Sequence, residues 1–181
     1  MRARCLPLLA ITFVLGFAPL GYAQTSVTLT DTSQTTTLTA NVSEQARVTV
    51  PAGVTFNVSN VAATTTAGAA SITVSSIVLA TATKQFKVSL QANAAAFSPP
   101  VAGAITWSAT DVSWNAPAWT NATGALGTLS NSAFNTVATC AADAADCSTT
   151  GLVFTLGAKS TVKRAGNHTL VVTWKFESIG S

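Results

Sequence analysis

Charge is scarce in this chain: 8% of its 181 residues are charged, nine Lys and Arg against six Asp and Glu. A nucleic-acid surface needs basic residues clustered on one face and interleaved with stacking aromatics, and no stretch here combines the two. Histidine is scarcer still, with His168 alone. A hydrolytic triad needs a base beside its nucleophile and a carboxylate that orients the base, and no Gly-x-Ser-x-Gly elbow offers a nucleophile. Glycosidase chemistry needs two carboxylates across a cleft. Here Asp31, Glu44, Asp111, Asp143, Asp146 and Glu177 are scattered, and only Asp111 stands near aromatics. Calcium takes about 6–8 oxygens, more than Asp143 and Asp146 supply. A non-enzymatic protein without metal or cofactor is therefore expected.

Long apolar runs are also missing, with one exception at the start. Arg2 and Arg4 precede an apolar stretch from Leu6 to Leu20, and Gly21 and Ala23 follow it. That is the layout of a secretory signal peptide, with cleavage expected after Ala23. Pro7, Gly16 and Pro19 interrupt the run, which falls short of the roughly 20 apolar residues of a membrane-spanning helix. The arginines are separated by Ala3 and no Cys follows the run, so neither a twin-arginine signal nor a lipid anchor is indicated. Without residues 1–23 the chain keeps seven basic and six acidic residues, a net charge of +1. A secreted or cell-surface protein with no membrane span is expected.

Of three cysteines, Cys5 falls in the leader, leaving Cys140 and Cys147. In an oxidising compartment an isolated pair is most simply a disulfide. A zinc site would need further Cys or His ligands. Closing so short a loop stabilises by about 2.5 kcal/mol on the chain-entropy account.

Low charge alone would suit disorder, but disordered chains are poor in β-branched and aromatic residues, and this one is rich in Val and Thr. In the last strand Leu170, Val172, Trp174 and Phe176 alternate with polar or β-branched residues, a period of two that gives one apolar face. Phe86, Val88 and Leu90 repeat the device within 84–92, and Leu152, Phe154 and Leu156 within 151–157. Further strands are predicted over 46–50, 54–58, 71–79, 104–107 and 136–140. The apolar phase switches across Ser75 and Ser76, which predicts a bulge. Breaks at Pro51–Gly53, Gly68, Pro99–Pro100, Gly103, Gly124–Gly127 and 165–167 recur between short β-rich runs, the pattern of a sandwich or barrel. No segment carries a sustained helical period. The last strand, with large apolar residues on one face, is expected to be central in its sheet.

Residues 24–42 stand apart as a Thr- and Ser-rich extended arm, with apolar residues at Val27, Leu29, Leu38, Ala40 and Val42. Two readings stand for it: an edge strand of the same sheet, or a strand that completes a neighbouring copy's sheet. The organisation expected is thus a leader at 1–23, the arm at 24–42 and one β-sandwich domain at 43–181.

Trp107, Trp114 and Trp119 crowd one poorly periodic stretch. Such indoles can form a platform that stacks on a polysaccharide or anchors a protein, or they can plug the end of a sandwich, since Trp is mostly buried.

The closing run Lys163-Arg-Ala-Gly-Asn-His-Thr-Leu-Val-Val-Thr-Trp-Lys-Phe176 resembles the final turn and strand of bacterial secreted domains of the spore-coat-U and fimbrial-subunit type. His168 stands where those families usually carry an aromatic. The resemblance implies a single immunoglobulin-like antiparallel β-sandwich exported to the envelope. It also implies a structural or adhesive role through self-association or binding of other envelope proteins. The alternative function is a carbohydrate-binding module built on Trp107, Trp114 and Trp119.

Overall fold

The structure is a computed structural model, and it describes residues 26–30, 32 and 34–181. The leader expected at 1–23 lies outside the described residues. The chain divides into two units, Met1–Ala40 and Asn41–Ser181. In the first, the described residues form no strand or helix.

The second unit is all-β, with no α-helix among the described residues. Its strands are β1 (Gln45–Thr49), β2 (Thr65–Thr66), β3 (Ala70–Val78), β4 (Gln85–Ala92), β5 (Val112–Trp114), β6 (Ala122–Gly124), β7 (Gly127–Thr128), β8 (Asn135–Cys140), β9 (Cys147–Leu152), β10 (Phe154–Leu156) and β11 (Val172–Ile179). They form three antiparallel sheets, in the orders β1-β3-β9, β2-β10-β5-β7 and β11-β4-β8-β6. The first two are joined by the chain itself. β2 leads into β3 and β9 into β10, and the Ala67 N–H donates to the Phe154 carbonyl at 2.9 Å across the junction.

The alternation read from the sequence explains the core. Ile72 and Val74 of β3, Leu152, Phe154 and Leu156 of β9 and β10, and Phe86, Val88 and Leu90 of β4 are all buried. Each fully buried aliphatic side chain contributes about 1.5–3 kcal/mol. By contrast, the four ion pairs among the described residues are all partly exposed, and such pairs contribute about 0–1 kcal/mol. Apolar burial therefore dominates the cohesion of this sandwich-like fold. The bulge also falls where the apolar phase switches: the β1–β3 register slips between Gln45↔Val78 and Arg47↔Ser75, and Ser76 takes a φ of 53°.

The cysteines form the expected disulfide, and the short loop between them, residues 141–146, is largely exposed. Both cysteines are fully buried, and they join β8 of one sheet to β9 of another.

Three expectations fail. Residues 54–58 and 104–107 are not strands, because their alternating side chains lean on the core while their backbones find no continuous partner; Phe97 N to Trp107 O is a single rung. The tryptophan-rich stretch, in turn, contains β5. The last strand is not central. Among the described residues β11 pairs only with β4 and ends its sheet. Its phase is as read, since Trp174 lies opposite Leu90 and Phe176 opposite Val88. Little covers that face, however, and Phe176 is 36% exposed.

Candidate functional site

Two of the three tryptophans of the sequence platform are interior residues. Trp107 and Trp114 are 4% and 3% exposed. Each places its indole N–H on a backbone carbonyl, Trp107 on Gly157 at 2.9 Å and Trp114 on Ala125 at 3.0 Å. Trp119 is half-buried. Glycines in the passage from β6 to β7, which belong to different sheets, seat the Trp114 and Trp119 rings. A Cβ on Gly127 would lie 2.3 Å from the Trp114 ring, and one on Gly124 would lie 2.8 Å from the Trp119 ring. The indoles thus fill the sandwich and do not present paired faces to solvent.

Asp111 and His168 are likewise occupied by the fold. Asp111 accepts from the Ser108 N–H at 2.7 Å and from Lys159 Nζ at 2.9 Å. His168 shares a hydrogen bond with Thr106 Oγ1 at 2.8 Å, contacts the Arg164 carbonyl at 3.1 Å and stands edge-on to Trp107. Nothing pairs the two into an acid–base couple.

The features with free capacity lie on one side of the second unit. β1 and β11 each end a sheet, and between them is a groove of about 360 Å³ lined by Ala46, Val48, Leu79, Phe86 and Phe176. Phe176 stacks on Phe86 at 6.1 Å, so an aromatic pair forms part of its wall. Farther along, between the chain after β1 and the chain before β11, a second cavity of about 960 Å³ opens. Beside both runs the outer edge of β11, whose backbone groups face no neighbouring strand among the described residues. Such an edge is a template for another chain.

A carboxylate closes one end of the groove. Glu44, just before β1, accepts from the Ala80 N–H at 2.8 Å, from Lys84 Nζ at 2.9 Å and from Ser178 Oγ at 3.3 Å. It ties together the start of β1, the turn into β4 and the end of β11. The Lys84 hydrogen bond, then that of Ala80, holds its pKa below the ordinary 4.5. Glu177 is lowered too, by Lys175 and then Lys87. A lowered carboxylate stabilises the fold above its unfolded pKa and loses that contribution as pH falls through the folded value. Glu44→Gln should therefore melt below the parent at neutral pH, and the gap should hold down to the ordinary carboxylate value of about 4.5 and close below it, as pH falls through the lowered folded value. A gap that stays constant down to acid pH would contradict the clamp. Sequence reading passed over this residue; the available signal was a lone acid directly before an alternating apolar strand.

No protein-family model, curated protein or solved structure matches this chain.

Proposed function

We propose that the chain is a subunit of an exported bacterial surface structure, built on an immunoglobulin-like sandwich that self-associates along the open edge of β11. The observation that carries this reading is the apolar groove between two sheet-ending strands, next to a strand edge that has no partner among the described residues. A strand added there gains main-chain hydrogen bonds from the edge and places alternate side chains in the groove.

The arm supplies a segment of fitting pattern. Leu38, Ala40 and Val42 alternate with polar residues, and Leu38 and Val42 are exposed. The described residues of 24–42 form no strand, which favours their pairing with a neighbouring copy over the edge-strand reading. The buried disulfide supports export, since such bonds persist in oxidising compartments. A polysaccharide role has no comparable support once Trp107 and Trp114 are interior.

The test is sedimentation of the oxidised protein over a wide concentration range. Concentration-dependent multimers are expected, and deletion of 24–42 or Phe176→Arg should weaken them by about tenfold or more, as loss of an interface anchor does. Strict monomers at high concentration, with or without the arm, would overturn the reading.

A further inference from the structure

We propose that the cavity of about 960 Å³ beside the start of β11 is a binding site for a single-chain amphiphile with an acidic head group, such as a medium- or long-chain carboxylate. This goes beyond assembly, because it assigns a small ligand to a space the strand-addition reading does not require. Ligand pockets measure about 300–1,000 Å³ and are mostly apolar with a few convergent polar groups. Its floor is apolar, formed by Leu90, Trp107, Leu129, Phe154 and Leu156 of the core, and polar side chains at Thr55, Lys163, Arg164, Asn167 and His168 also line it.

Charge decides the head group. Lys163 and Arg164 are the only Lys, Arg, Asp or Glu among the described residues that line the cavity. Both are exposed, and neither belongs to any ion pair among the described residues. A cationic rim over an apolar floor complements an acidic amphiphile. It repels a cationic one.

Two other occupants fit less well. A sugar would bring many hydroxyls to a floor of apolar side chains, where the Trp107 N–H is already bonded to Gly157 and His168 to Thr106 and Arg164. Hydroxyls buried without partners are costly. A peptide strand would meet a ladder only at Val172 and Trp174 where β11 begins, whereas the remaining walls, residues 51–58 and 163–171, contain no strand.

Trp107 and Trp174 line the cavity, so their fluorescence reports occupancy. The full oxidised chain would be titrated, below micelle-forming concentrations, with decanoate and dodecanoate, with dodecanol and with dodecylamine. One saturable site per chain is expected, with affinity rising about fourfold per added methylene. Dodecanoate should bind about tenfold or more tightly than the alcohol, as charge-assisted contacts allow, and the amine weakest. Lys163→Ala with Arg164→Ala, both exposed, should remove the preference for the acid and leave alcohol binding unchanged. Absence of saturation, or equal binding of acid and amine, overturns the proposal. So does a result in which a synthetic peptide of residues 24–42 fills the cavity and the carboxylates do not. Sedimentation of the same samples separates the two ideas: multimers without carboxylate binding overturn this inference alone, and carboxylate binding by strict monomers overturns assembly alone.

Discussion

Trp114→Ala should destabilise the fold by about 3–5 kcal/mol, the range for removing a fully buried aromatic, and should do so by clearly more than Trp174→Ala. Trp114 is 3% exposed, packs against Phe154 with ring centroids 6.3 Å apart, and keeps its N–H on the Ala125 carbonyl. Truncation removes the ring from its seat on Gly127 and leaves that carbonyl without its donor. A cavity and an unpaired polar atom result together, and each carries its own cost. Trp174 is only half-buried on a sheet-ending strand, so water replaces part of what its truncation vacates. Urea melts of the two variants beside the parent measure the difference. A Trp174→Ala variant as damaged as Trp114→Ala would mean that the open side of the sandwich is closed in solution. Lys175→Ala, on the outer face of β11, is the control and should stay within about 0.5 kcal/mol.

The second large effect belongs to the disulfide. Replacing Cys140 and Cys147 together by Ser should cost about 2–5 kcal/mol, as loss of a native disulfide does. Part of that is the entropy of the short loop, about 2.5 kcal/mol. The remainder comes from position, since the bond joins β8 to β9 across two sheets and both side chains are fully buried. Serine hydroxyls placed there need partners that an apolar site does not offer. Thermal melting of the oxidised protein against the double variant checks this. Coincident melts would show that the sheets are held at that end by packing alone.

These two effects lie away from the groove between β1 and β11, which makes the functional tests separable from the stability tests. Lys163 and Arg164 are exposed, so substitutions there act on binding with little effect on folding, whereas Phe176 is 36% exposed and stacks on Phe86, so its variant is melted beside the parent before its assembly is compared. Core substitutions do the reverse.

What the sequence by itself determined is local. Period-two alternation marked β3, β4, β10 with the end of β9, and the inward phase of β11, because a strand's side chains point alternately to opposite faces whatever lies beside it; most of β9, and its place in a different sheet from β10, was not marked. The phase switch at Ser75 and Ser76 marked the bulge, and two cysteines in a short loop marked the disulfide. Tertiary structure alone decided which strands are neighbours, since pairing joins residues far apart in the chain, as Trp174 with Leu90. That placed β11 at the end of its sheet and opened the groove beside it. It also turned Trp107 and Trp114 inward, because their burial depends on carbonyls and glycines contributed by other segments, at Ala125, Gly127 and Gly157. An indole in a sequence has no face. The chain that packs against it decides whether that face meets core or solvent.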